Sequence, residues 1–141
     1  MPEILENLPI LLYDGTSDFI CNWLSNYRVC ENLQWPGLQN FTDQEWTSWK
    51  LSDGTYAGEF KYASNFTFLK VTSEYIYNIL THSAFRRVTR QCCFRPQVYG
   101  AGHLVPMDQP RSALEMLHIF LSGDSFASEE LLFLFNAMGS P

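Results

Sequence analysis

Two residues in this chain combine side chains and settings suited to proton-transfer chemistry. His103 sits in Val98-Tyr-Gly-Ala-Gly-His103-Leu-Val-Pro-Met-Asp-Gln-Pro110. An imidazole can take and return a proton, provided the ring is held still. Gly100 and Gly102 flank Ala101 just before it, and glycine permits backbone angles and close approaches closed to other residues. Asp18 ends the turn stretch Tyr13-Asp-Gly-Thr-Ser-Asp18. A carboxylate beside an imidazole fixes its tautomer and stabilises its cation, which turns histidine into a general base. Each residue also has a plainer reading. Asp18 can be a helix N-cap, and His103 can be a capping or packing residue.

The surrounding patterns predict elements that would hold both side chains. Leu8-Pro-Ile-Leu-Leu-Tyr13 is a short apolar run suited to a strand buried on both faces, and Asp14 to Asp18 end it with turn residues. Phe19 to Leu33 reads as a helix with a stripe of Ile20, Trp23, Leu24, Tyr27 and Leu33. Asp18 would then lie at a strand-to-helix turn. Val98 and Tyr99 can end another strand, and Pro110 is placed to open a helix over Arg111 to Leu121 that stops at Gly123. His103 would occupy an equivalent turn. In an open α/β sheet, such turns at the carboxyl ends of strands form the site crevice. Between them, Trp35-Pro-Gly37 is a turn, and Trp46 and Trp49 fall on a short helix or irregular segment. Leu51-Ser-Asp-Gly54-Thr is a hairpin turn, Tyr56 to Ala63 alternates as an exposed strand would, and Phe66 to Val71 is a further strand.

Composition bounds what the site can serve. The 141 residues suffice for one domain, and 46% apolar with 16% aromatic content is that of a globular chain. A net charge of −6 argues against nucleic-acid binding. No run of 18 apolar residues is present, so no membrane span is expected. Glu3 and Glu6 stand where a signal peptide carries basic residues, so no secretory leader is expected in the chain as written. Cys21 and Cys30 on one helix would lie about 13 Å apart, too far for a disulfide, and adjacent Cys92 and Cys93 do not bridge easily. The lack of a Cys-x-x-Cys motif argues against a metal ribbon, and neither metal nor cofactor is expected. Asn40-Phe-Thr42 and Asn65-Phe-Thr67 fit the glycosylation acceptor pattern, each weak evidence of secretory passage.

Taken together, two stretches resemble the serine carboxypeptidases of the yeast carboxypeptidase Y type, peptidase family S10. Tyr13-Asp-Gly-Thr-Ser-Asp18-Phe-Ile-Cys-Asn22-Trp-Leu-Ser-Asn26 is similar to that family's aspartate segment. Gly100-Ala-Gly-His103-Leu-Val-Pro-Met-Asp-Gln-Pro110 is similar to its histidine segment, and Ala57-Gly-Glu59 and Asn65-Phe-Thr-Phe68-Leu resemble it in between. The resemblance implies a partial α/β-hydrolase fold, with residues 1–126 as its C-terminal part and 127–141 as a tail. It implies that Asp18 is the triad acid and His103 the general base, in the order Asp then His that the fold uses after its serine. Cys21, Asn22 and Leu104 would border the substrate pocket, with peptide and protein C-termini as substrates. The family implies a vacuolar, lysosomal or secreted location.

Three departures qualify this. The elbow Gly-x-Ser-x-Gly is absent, and the closest approach, Gly15-Thr-Ser17-Asp-Phe, occupies the aspartate turn. An N-terminal carboxypeptidase chain would have to supply serine and oxyanion hole, and the chain alone should not be a working peptidase. Residues 71–97 interrupt what the family writes as one strand and turn. Joining Lys70 to Val98 restores the family pattern, which suggests a retained intron or gene-model error. A real surface excursion with Arg86, Arg87, Arg90 and Arg95 as a basic loop is the alternative, and His82 in the same stretch reads as solvent-facing. Thr16 stands where the family commonly has another aspartate, which should weaken the turn without displacing Asp18. The competing functional reading is a non-catalytic interaction module or a truncated, mis-spliced relic.

Overall fold

A computed structural model describes residues 2–72 and 100–127. In chain order the elements are α1 (Pro2–Leu5), β1 (Ile10–Gly15), α2 (Trp23–Asn32), α3 (Leu38–Asp43), β2 (Thr47–Lys50), β3 (Tyr56–Ala63), β4 (Phe66–Val71), α4 (Val105–Asp108) and α5 (Pro110–Ser122). The strands form one mixed sheet in the order β1-β4-β3-β2. β1 and β4 run parallel with Ile10 opposite Phe66 and Gly15 opposite Val71, so both end together. β3 pairs antiparallel with β4 and with β2.

Alternation along β4 splits its side chains between two cores. Phe66 and Phe68 join Leu5, Tyr27, Cys30, Trp35, Phe41 and Ala63 on the face covered by the first three helices. Leu69 and Val71 join Trp49, Leu51, Phe60, Ala101, Val105 and Met116 on the face covered by α4 and α5. Leu11 packs on the second cluster, and Ile10 and Leu12 on the first, so β1 is covered on both faces as its apolar run predicts. Trp46 belongs to the first cluster's surroundings and Trp49 to the second, because Trp49 lies in β2 and not in the short helix its spacing suggested.

Four other expectations need correction. β1 begins at Ile10, two residues later than read, since Pro9 precedes the ladder and Leu8 stays exposed. The helix after Asp18 begins at Trp23, not Phe19, because Asn22 takes the cap: its side-chain oxygen accepts from the Leu24 amide at 2.9 Å. Phe19 and Ile20 therefore lie outside the helix and are 92% and 85% exposed. β3 is largely buried, not an exposed strand, as it has partners on both sides. Its Lys61 is tolerated inside because Nζ donates to Tyr27 Oη at 2.9 Å and to the Thr42 carbonyl at 3.3 Å. On α5, Ala113 and Met116 face the core, whereas Leu114, Leu117 and Leu121 are exposed, so its apolar residues do not all fall on the buried face.

The hairpin between β2 and β3 forms as its Asp-Gly predicts, with Gly54 at φ 87°. Pro110 opens α5 and Gly123, at φ 74°, closes it. β4 runs through Val71, and the Thr72 amide still donates to the Ala57 carbonyl at 2.9 Å. The rest of the 71–97 stretch lies outside the described residues. So do Val98, Tyr99 and the tail beyond Ala127.

Candidate active site

The turn after β1 and the segment leading into α4 bring the sequence-predicted pair together beside the carboxyl end of β4. The turn after β1 is closed by the Asp18 amide donating to the Gly15 carbonyl at 3.1 Å. Its two preceding amides reach across to the neighbouring strand end. Thr16 N–H donates to the Val71 carbonyl at 3.0 Å and Ser17 N–H to the Ala101 carbonyl at 2.9 Å. Gly15 makes this contact possible. A Cβ there would sit 2.2 Å from the Ala101 oxygen and 2.3 Å from the Gly102 oxygen. The freedom that matters is thus one of close approach at Gly15. Gly102, where the sequence suggested unusual backbone angles, does not have a positive φ. It is instead anchored by its amide, which donates to Asp108 Oδ2 at 2.8 Å.

Across this contact, Asp18 Oδ2 and His103 Nδ1 are 2.8 Å apart. The other carboxylate oxygen, Oδ1, accepts the amides of Ile20 at 2.8 Å and Cys21 at 3.0 Å. The turn-capping role and the histidine-pairing role therefore coexist on different oxygens of one side chain. Burial pushes the Asp18 carboxyl up. The hydrogen bond from His103 and the two backbone amides outweigh this and hold it below the ordinary carboxylate range. An ionised Asp18 can only accept, so Nδ1 carries the proton and Nε2 keeps a lone pair. Asp18 is buried, but the His103 side chain is 60% exposed. A fixed, exposed imidazole whose Nε2 makes no hydrogen bond among the described residues can act as a general base toward a group brought to it from outside.

The other predicted residues fall at varied distances from this chemistry. Cys21 is an exposed free thiol, and its Sγ, an Asp18 carboxylate oxygen and a His103 ring nitrogen all lie within 4.8 Å of one another. These are the described side chains that could hold a metal ion. Asn22 is committed to capping α2. Leu104 follows His103 directly, is 57% exposed, and its carbonyl accepts the amides that start α4. Asn40 lies on α3 and Asn65 in the β3–β4 turn, and both are exposed. The Asn65 side-chain amide donates to the Leu5 carbonyl at 3.0 Å. Thr16, the unusual residue of the turn, buries its Oγ1 without a hydrogen-bond partner among the described residues.

Sequence reasoning missed Asp14, Asn26 and Asp108. Asp14, at the end of β1, accepts both of its bonds from the Asn26 side-chain amide, at 3.0 and 3.1 Å. Burial pushes its carboxyl up, Asn26 counteracts this, and the nearby Asp18 charge adds to the rise. The sequence places Asp14 in a turn, whereas β1 runs on to Gly15, so the available signal was a carboxylate directly after the apolar run. For Asp108 it was an acid five residues beyond the histidine.

Comparison with known proteins agrees with this assembly. A family model described as serine carboxypeptidase covers residues 1–73 and 85–123. Carboxypeptidase Y homolog A of Chaetomium globosum is 38% identical over 128 residues, which span 90% of this chain and 18% of that protein. The corresponding protein of Podospora anserina is 37% identical over 128 residues, covering 90% and 18%. That of Sclerotinia sclerotiorum is 36% identical over 122 residues, covering 86% and 17%. The chain thus spans less than a fifth of the length of these relatives. Its mixed sheet and flanking helices form a partial α/β fold of that family, as expected from the sequence.

Proposed function

Because the chain belongs to the serine carboxypeptidase family, we propose that it supplies the Asp and His of a Ser-Asp-His triad, with peptide and protein C-termini as substrates. The observation that carries this reading is the 2.8 Å contact between Asp18 Oδ2 and His103 Nδ1 across the turn that follows β1. His103 Nε2 takes the proton of an attacking serine hydroxyl and returns it to the leaving amine. Asp18 stays ionised, holds Nδ1 protonated and stabilises the imidazolium. Cys21 and Leu104 border the substrate beside the ring.

The serine and its oxyanion hole come from a carboxypeptidase segment or partner chain outside this sequence, which contains no Gly-x-Ser-x-Gly. Two features support such a partner. Among the described residues, β1 pairs on one side alone. Phe19, Ile20, Leu104 and Met107 leave large apolar surface exposed beside the histidine. Without the serine, turnover falls by a factor on the order of 10⁶, so the chain alone is inactive. The reading implies a route to a vacuole, a lysosome or the cell exterior.

The test mixes this chain with a matching N-terminal chain that carries the elbow and follows release of C-terminal amino acids. Activity that appears on mixing and disappears with His103→Ala supports the proposal. No gain over either chain alone refutes it and favours the second reading, a non-catalytic module or relic, which the missing elbow motivates.

A further inference from the structure

We infer that Asp18, Cys21 and His103 form a binding site for Zn²⁺ or a similar borderline transition-metal dication. Residues 18, 21 and 103 carry no metal motif in the sequence, since the histidine is remote from the other two. Folding makes them neighbours. A carboxylate oxygen, the thiol sulfur and a ring nitrogen lie within 4.8 Å of one another. Ordinary zinc bond lengths at a tetrahedral centre set such donors about 3.3 to 3.6 Å apart. The His103–Asp18 contact of 2.8 Å must open by about half an ångström, and the sulfur must close in by about 1.3 Å at most. Cys21 is exposed and sits on a turn, before α2 begins, so its side chain is free to make that movement.

Outer contacts already orient the site. Asp18 Oδ1 is held by the amides of Ile20 and Cys21, while Oδ2 meets the His103 ring at Nδ1. One nitrogen, one sulfur and one oxygen suit Zn²⁺ or Co²⁺, whereas Mg²⁺ and Ca²⁺ want oxygen ligands alone. Three protein ligands leave a fourth position for water. As the metal binds, the thiol releases its proton to solvent, and Nδ1 gives up its proton while Nε2 gains one, so that the neutral ring ligates through Nδ1. The inference rests on the three donors and not on the proposed peptidase role, although a metal held on the imidazole would take it out of proton transfer.

Titrating Co²⁺ into the full chain tests it. The expected result is a thiolate-to-cobalt charge-transfer band in the near ultraviolet with tetrahedral bands in the visible, all displaced by Zn²⁺ and untouched by Mg²⁺. Cys21→Ser removes the charge-transfer band, and His103→Ala weakens binding by about tenfold or more. Cys30→Ser leaves both unchanged, because Cys30 is buried. Circular dichroism of each variant confirms that it is folded. A charge-transfer band that survives Cys21→Ser places the thiolate elsewhere and overturns the inference. So does the absence of tetrahedral bands in the folded parent chain.

Discussion

Alanine at position 15 should part Asp18 from His103 without altering either. The added methyl would sit 2.2 Å from the Ala101 oxygen, 2.5 Å from its carbonyl carbon and 2.3 Å from the Gly102 oxygen. All three are backbone atoms, so no side chain can swing aside. Ordinary contact begins near 3.4 Å, and the 101–102 segment must therefore retreat by about 1 Å. The Ser17–Ala101 hydrogen bond would break, and His103, one residue further on, would be carried away from Asp18. Overpacking costs about 1–3 kcal/mol and the lost hydrogen bond about 1 kcal/mol. Stiffening of the unfolded chain returns about 0.4–1 kcal/mol, for a net loss of about 1–3 kcal/mol. Denaturant unfolding followed by tryptophan fluorescence reads this, since Trp49 is fully buried. Gly102→Ala is the control. Its Cβ would meet only the Asp108 carboxylate oxygen, at 3.1 Å on a movable side chain, so a change within about 0.5 kcal/mol is expected. Equal stability of Gly15→Ala and the parent, with the His103 ring resonances unshifted, would refute the close-approach reasoning.

Thiol mapping by mass spectrometry at pH 8 should find Cys21 alkylated quickly and Cys30 only on unfolding. Burial pushes the Cys30 thiol up to about 11, and rapid labelling of Cys30 in the folded chain would contradict its placement. Asp53 is held at about 2 by the Thr55 backbone amide, the Thr55 side chain and Arg111, in that order. A lowered carboxyl stabilises above its unfolded value of 3.8, and that contribution disappears as pH falls through the folded value. The melting temperature of Asp53→Asn should therefore fall less steeply than the parent's between about pH 4 and pH 2, and identical slopes would refute the link. Deleting 74–84, the stretch between the two segments that the family model covers, should leave the fold and the His103 environment intact, with stability unchanged or raised by about 1 kcal/mol from the shorter connection. An unfolded deletion variant would show that the stretch belongs to the domain.

The pair at the centre of the site was legible because Asp18 closes the turn after β1 and His103 stands two residues before α4, and the glycines and prolines that mark such places are read locally. Gly54, Pro110 and Gly123 were legible for the same reason. Contacts set by packing were not. Nothing local distinguishes Gly15, whose role depends on a carbonyl at residue 101, from Gly102, which needs no special conformation. Periodicity placed Ile20 on a buried helical stripe, but Asn22 supplied a better cap three residues beyond where Phe19 would have started the helix. Lys61 disguised β3 as a solvent-facing strand, since a sequence does not show the phenol and carbonyl that satisfy its ammonium. The Asp14–Asn26 pair is hidden likewise, as its partners come from β1 and α2 and meet only once the helix packs on the sheet.

The most direct test of the account is the tautomer of His103, read from the ¹⁵N shifts of its ring by NMR at neutral pH. An Nδ1–H donor to Asp18 with an unprotonated Nε2 is predicted, changing to the Nε2–H form in Asp18→Asn, whose amide can donate to Nδ1. A ring protonated at Nε2 in the parent chain, or one whose shifts ignore the Asp18 substitution, would contradict the pairing on which the proposed chemistry depends.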